Sequence, residues 1–375
     1  MRVRTTYRLL FILLAFLPAL VLPAQDSLPR KMLRPDAIGL QGHFGFLIAH
    51  RNMMDHLVKR HLPAVELDLC WGTNGEREWS RAYGNPDWGI SIWHVWLGNP
   101  EQLGMGTAVN PYINFPLKRS TSLRVGWGVG WITKPFDAID NHKNIAVGSH
   151  LNGTFNLRLL NEFSISRRLF GQVSIGISHF SNGAFRIPNL GLNIPTLGLG
   201  IFYDKSKRPN CAMSICPGPL PSDTTAPYIF KRWTVYAIGT LGANEEDQPD
   251  GPLRPAYGLL ISAMKQTERK HRWGAGVDVM YSEANRIRLK RHGENVSEAE
   301  NVQLGMKVCY ELVVGRLSLP VEAGGYVLSR YGGNGSIYNR WGLRYLHSDR
   351  LMMQLSLKSH LVVADYWELG AGYRF

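Results

Sequence analysis

The chain has 375 residues, 39 of them glycine, and its 42 Lys+Arg against 29 Asp+Glu give a formal net charge of +13. Beyond the N-terminus there is no long apolar run, which excludes a helical membrane protein but not a membrane barrel, whose strands are short and alternate. The basic excess suits an acidic partner, and an export signal at the front favours phosphorylated lipid at a membrane surface over nucleic acid.

Residues 1–24 read as that signal. Arg2, Arg4 and Arg8 precede the apolar stretch LLFILLAFLPALVL, and Ala24 suits the last residue before cleavage. Residues 25–37 read as an exposed leader. From Ile38 onward, period-two segments recur between turn signals. Val65, Leu67, Leu69 and Trp71 alternate with Glu66, Asp68 and Cys70. Leu123, Val125, Trp127, Val129 and Trp131 alternate with Arg124 and glycines. Trp273, Ala275, Val277, Val279 and Tyr281 face away from Asp278, and Leu304, Met306, Val308, Tyr310 and Leu312 face away from Gln303, Lys307 and Glu311. The last segment places Trp367, Leu369, Ala371, Tyr373 and Phe375 on one face, a pattern similar to the C-terminal signal of outer-membrane barrels.

Such alternation suits either a soluble β-fold with its apolar face inside or a membrane barrel with that face outside. Glycine and scattered charge on the polar faces, with Trp and Tyr near strand ends, favour lipid. The expectation is an all-β, antiparallel transmembrane β-barrel. Roughly eight segments lie between Ile38 and Tyr203, and roughly six to eight more between Arg232 and Phe375. The Pro-rich insert at 205–231 is either a loop within one barrel or a boundary between two units. One barrel of about 14 strands, with 12 or 16 as alternatives, is the preferred reading. It divides the chain into a first portion at 38–204, the insert, and C-terminal strands at 232–375. Within the insert, Cys211 and Cys216 bracket a short loop that suits a disulfide after export, while Cys70 and Cys309 sit inside strands as packed thiols. The cysteine spacing matches no zinc site.

The stretch LFGQVSIGISHFSNGAFRIPNLGLN, residues 169–193, carries the chemistry. Val173, Ile175 and Ile177 share a face that continues to His179 and Ser181. A base and a nucleophile thus point the same way, with Cα atoms about 7 Å apart at strand rise. With a periplasmic N-terminus this strand is the seventh and runs outward. The pair then faces lipid near the outer rim. Serine needs a base to take its proton, a third group to fix the imidazole tautomer, and donors for the oxyanion. Asn182, Asn189 and backbone N–H groups around Gly183 and Ala184 are local donor candidates. The bland reading is a rim histidine followed by a loop-starting Ser-Asn.

The pattern H-F-S-N-G-A-F-R-I-P-N-L-G-L-N resembles the active-site segment of the outer-membrane lipid A 3-O-deacylases, also described as acyloxyacyl hydrolases. The resemblance covers roughly Ile38 to Tyr203. It implies an exported barrel with a serine-hydrolase site on its lipid-facing surface, with His179 as base, Ser181 as nucleophile, and Asn182 and Asn189 in the oxyanion hole and its loop, beside the local donor candidate Ala184. The acidic third member of that family falls on Asn193 here. Asparagine can accept a bond from the imidazole and hold its tautomer, but it brings no negative charge. The segment NIAVGSHLN also looks like longer relatives; Ser149 and His150 are adjacent, so they point to opposite faces, and Asn144 and Asn152 read as structural or site-lining.

The resulting expectation is an outer-membrane serine esterase that removes an ester-linked acyl chain from lipopolysaccharide, with no metal or organic cofactor. Asn193 leaves open a site of impaired activity. A non-enzymatic barrel with a degenerate site, and an outer-membrane phospholipase, are the alternatives.

Overall fold

A computed structural model describes residues 34–205 and 233–375, apart from residues 74, 76, 119, 247 and 334. The signal at 1–24, residues 25–33 of the leader, and the insert with Cys211 and Cys216 lie outside the described residues.

The first set of strands comprises β1 (Ala37–Gly45), β2 (Leu62–Gly72), β3 (Asp87–Trp96), β4 (Met105–Lys118), β5 (Thr121–Ile132), β6 (Leu151–Ser164), β7 (Leu169–Ser181) and β8 (Leu192–Asp204). The second comprises β9 (Trp233–Glu245), β10 (Leu253–Gln266), β11 (His271–Ser282), β12 (Gln303–Val314), β13 (Leu317–Leu328), β14 (Ile337–Leu346), β15 (Leu351–His360) and β16 (Val363–Arg374). All neighbours pair antiparallel. β1 closes on β8 from Ala37↔Asp204 to Gly45↔Thr196, and β16 closes on β9 from Trp367↔Ala243 to Arg374↔Tyr236.

The described residues therefore form two closed barrels of eight strands, not one of about 14. The physical reason is that alternation reports only which face a residue takes. Closure depends on which distant strand satisfies an edge, and here β8 satisfies the edge of β1 before the second set begins.

Both barrels are polar inside and apolar outside. On outward faces Leu40, Leu197, Leu199 and Ile201 are all more than half exposed. Inside the first barrel, Arg124 reaches Glu66 (2.9 Å) and Asp68 (2.8 Å) and donates to Asn114 Oδ1 (2.9 Å), while Arg158 also pairs with Glu66. Inside the second, Lys307 bridges Asp278 (2.9 Å) and Glu322 (2.7 Å), and Arg340 bridges Asp278 (2.8 Å) and Glu368 (2.6 Å). Buried charges need partners within reach, and inward positions on facing strands supply them. Cys70 and Cys309 are buried free thiols.

The connections at one end of the first barrel are 46–61, 97–104, 133–150 and 182–191; at the other, β4–β5 and β6–β7 turn tightly, while 73–86 between β2 and β3 carries a short helix, Glu78–Ala82. β7 starts at the end with the tight β4–β5 and β6–β7 turns and finishes, at what we term its outer end, in the 182–191 loop. At its outer end the interior is apolar: Phe180, Trp93, Val95, Leu192 and Ile194 are packed in one buried cluster. Phe180 lies between His179 and Ser181 in sequence and stacks inward on Trp93, with centroids 5.9 Å apart. That anchor fixes the outward face of the same strand.

Candidate active site

The outward face of β7 carries Val173, Ile175, His179 and Ser181, while Gln172, Ser174 and Ser178 are buried inside. Cross-strand pairing sets His179 between Phe155 on β6 and Asn193 on β8, and sets Ser181 opposite Gly153. Gly153 has no side chain of its own there, and the Trp367 ring closes on its bare backbone.

His179 Nδ1 donates to Asn193 Oδ1 at 2.7 Å. The imidazole lies against Gly191, where a Cβ would stand 2.6 Å from Cε1; Gly191 also has φ of +81°, so glycine is required there on two counts. Ser181 Oγ accepts from Asn189 Nδ2 (2.8 Å) and from the Gly183 N–H (3.1 Å), and lies 3.2 Å from Asn189 Oδ1. The Asn182 N–H donates to Asn189 Oδ1 at 3.0 Å, turning the amide nitrogen of Asn189 toward the serine. No hydrogen bond joins Ser181 to His179 among the described residues.

The loop after β7 is built from its own polar groups. Asn182 is buried; its Nδ2 donates to Ser149 Oγ (3.0 Å) and to the Arg186 carbonyl (2.8 Å), and its Oδ1 accepts from the Arg186 N–H (3.3 Å). Its carboxamide organises the loop and ties it to the 144–152 segment. Gly183 and Ala184 follow with φ of +65° and +61°, two successive left-handed residues that turn the chain back over the site. Asn144 donates to the Gln102 and Lys134 carbonyls, Asn152 to those of Ser149 and His150, and His150 stacks on Trp131. These contacts hold the neighbouring loop.

Three features were not read from the sequence. His50 follows β1, whose course continues beside β8 through the Ile48 N–H bond to the Asn193 carbonyl (2.9 Å). Its Nδ1 lies 3.2 Å from Asn193 Nδ2, and its Nε2 lies 3.1 Å from the Leu190 carbonyl oxygen. Glu245 of β9 accepts from the Ile187 N–H at 2.7 Å and pairs with the Arg186 guanidinium, which also donates to the Gly251 carbonyl at 3.1 Å. Trp367 of β16 lies beside the bare backbone near Ser181: a Cβ on Gly183 would stand 2.2 Å from its Nε1, and one on Gly153 would stand 3.0 Å from its ring. Its ring also meets Trp127, with centroids 5.5 Å apart. None of the three has a local sequence signal, since each reaches the site from a distant strand or connection. Among the described residues, no group of three or more His, Cys, Asp or Glu side chains is arranged to hold a metal ion.

Residues 65–202 match the family Lipid A 3-O-deacylase (PagL), and residues 231–375 match the family Acyloxyacyl hydrolase, C-terminal domain. Together they take in about three quarters of the chain. Among solved structures, the chain is similar to the outer membrane enzyme PagL, at 17% identity and a TM-score of 0.29, over 43% of this chain and 97% of that one. It is also similar to a mutant porin of Rhodopseudomonas blastica, at 9% identity and a TM-score of 0.19, over 90% of this chain and 99% of that one. No curated protein matches.

Proposed function

The chain belongs to the lipid A 3-O-deacylase (PagL) and acyloxyacyl hydrolase family and is a bacterial outer-membrane protein, and from that premise we propose that it is a serine esterase that removes an ester-linked acyl chain from lipid A. The first barrel, β1 to β8, carries the reaction, and β9 to β16 form a companion barrel at its side.

The observation that carries this reading is the set of bonds around β7's outer end. His179 is held through Nδ1 by Asn193, so its Nε2 is free to accept a proton. Ser181 stands two residues further along the same lipid-facing edge. The Gly183 N–H and Asn189 Nδ2 now hold the serine oxygen. When an ester carbonyl enters, these donors are placed to receive the oxyanion, and the hydroxyl turns to His179. Catalytic hydrogen bonds are often long or misaligned in a free enzyme and tighten with substrate, so the present Ser181 contacts describe the resting site. Ser181 Oγ then attacks the carbonyl carbon while His179 takes its proton. The alcohol leaves with that proton, and water activated by the same imidazole releases the fatty acid from the acyl-enzyme.

Asn193 gives His179 orientation without a charge. Replacing the buried acid of a serine triad by asparagine costs about 10⁴ in kcat through the wrong tautomer; here Asn193 Oδ1 faces His179 Nδ1, the sense that leaves Nε2 as the base. The outward site suits a membrane-embedded ester, and the ion-paired interiors argue against a pore. Covalent labelling tests the assignment: a fluorophosphonate should modify the folded wild-type protein at Ser181 and leave Ser181→Ala unlabelled. Labelling at another residue, or none, would contradict it. A lipid-class assay on glycerophospholipids beside lipid A decides between a phospholipase and a deacylase.

A further inference from the structure

Resting on the reading of His179 as the base, we propose that His50 is a positioning residue that fixes the orientation of the Asn193 carboxamide and thereby the tautomer of His179. The difficulty it resolves is particular to this chain. A carboxylate offers acceptors on both oxygens, so it orients an imidazole in either rotamer. A carboxamide offers one acceptor and one donor, and a half-turn about its last bond exchanges them. With the amide reversed, the NH₂ of Asn193 would face His179 Nδ1. That nitrogen would then have to be the acceptor, the proton would sit on Nε2, and the base would be lost.

The contacts determine the sense of the amide from a group that cannot turn. The Leu190 carbonyl oxygen, 3.1 Å from His50 Nε2, can only accept, so Nε2 of His50 carries the proton. In a neutral imidazole the other nitrogen then carries a lone pair. His50 Nδ1, 3.2 Å from Asn193 Nδ2, must accept, and so it selects the NH₂ side of the amide. Asn193 Oδ1 is left facing His179 Nδ1 at 2.7 Å, which must donate. The order of protons therefore runs from a main-chain carbonyl through His50 and Asn193 to His179, and leaves Nε2 of His179 unprotonated. Two backbone features hold the chain of contacts together. The Ile48 N–H bond to the Asn193 carbonyl fixes the approach of His50, and the Gly191 N–H bond to the Ala146 carbonyl (2.8 Å) holds the strand entry beside Leu190.

The test compares full-length wild type, His50→Ala, Asn193→Asp and the double variant in detergent micelles, with purified lipid A as substrate and fatty-acid release as readout. His50→Ala is exposed-site chemistry and leaves β7 intact. It should lower kcat about tenfold while KM stays within about twofold, because orientation of the base acts in the transition state. In the Asn193→Asp background the same change should cost less than about twofold, since a carboxylate needs no orienter; that non-additivity is the signature. Nitrogen NMR of histidine-labelled protein gives a readout apart from activity. Wild type should show His179 protonated at Nδ1, and His50→Ala should shift it toward the Nε2–H form. An unchanged tautomer, or an equal loss in both backgrounds, would overturn the proposal. Inactive wild type with the His50-dependent tautomer intact would refute the esterase reading and leave the proposal standing.

Discussion

Glu245, at the outer end of β9 in the second barrel, accepts a 2.7 Å hydrogen bond from the main-chain N–H of Ile187, in the loop of the first barrel that carries Asn182 and Asn189. The same carboxylate pairs with Arg186, and its side chain is fully buried. The second barrel thus holds the candidate oxyanion loop by its backbone. At the opposite end, Tyr83 Oη donates to the Val313 carbonyl (2.9 Å) and Arg269 pairs with Glu78 (3.3 Å), so the two barrels meet at both rims.

Glu245→Ala should therefore act on catalysis. It removes the carboxylate that pairs with Arg186, leaving that guanidinium only the Gly251 carbonyl, and leaves the Ile187 N–H at the seam without its acceptor, which frees the loop. We expect kcat on lipid A to fall about tenfold to a hundredfold, since small displacements of a positioned group carry costs of that order. Arg186→Ala should share that loss, and the double variant should be little worse than either single one. Steady-state kinetics of the three variants, with folding checked by circular dichroism, measures this.

Trp367 stands over Gly153 and Gly183, beside the serine, and meets Trp127 across the seam. An indole here gives an acyl chain an apolar wall. Trp367→Ala should raise KM for long-chain p-nitrophenyl esters about tenfold and leave short-chain esters nearly unchanged, because each buried methylene contributes about 0.8 kcal/mol. The chain-length profile of the two proteins checks it.

Gly191→Ala puts a methyl group into the space of the His179 ring and asks alanine to adopt φ of +81°. The left-handed backbone alone costs roughly 1–2 kcal/mol. The imidazole must move, and kcat should drop at least about a hundredfold while the barrel still folds. Activity measured beside circular dichroism distinguishes loss of the site from loss of the fold.

The interior of the second barrel is crossed by the Arg340 bridges to Asp278 and Glu368 and by Lys307 between Asp278 and Glu322. Planar-bilayer recordings should show no steady ion conductance from the wild-type protein. Arg340→Ala leaves buried carboxylates without their cation and should destabilise the second barrel by about 3–5 kcal/mol, measured by urea titration.

The period-two face through Val173 and Ile175 to His179 and Ser181 was legible because a strand between lipid and a polar interior must alternate. That one regularity also conveyed the barrel class, and counting such segments from Ile38 made this strand the seventh, as it is. Strand count was not legible, since the closing pairs Ala37↔Asp204 and Trp367↔Ala243 join segments far apart in sequence with no pattern of their own. The same limit hid His50, Glu245 and Trp367, which meet the site only through the closure of β1 on β8 and the contact between the barrels. Asn182 illustrates a different limit: its place in the motif was visible, but the use of its carboxamide by Ser149 and Arg186 depends on the fold of the loop.

On the proposed reading, Ser181 cleaves an acyl ester of lipid A. Mass spectrometry of lipid A from cells making the wild-type protein, beside cells making Ser181→Ala at equal outer-membrane levels, tests it most directly. Lipid A should be lighter by one acyl chain with wild type alone, the mass difference naming the chain. Lipid A unchanged in both, with the barrels inserted and an acylated substrate present, would contradict it.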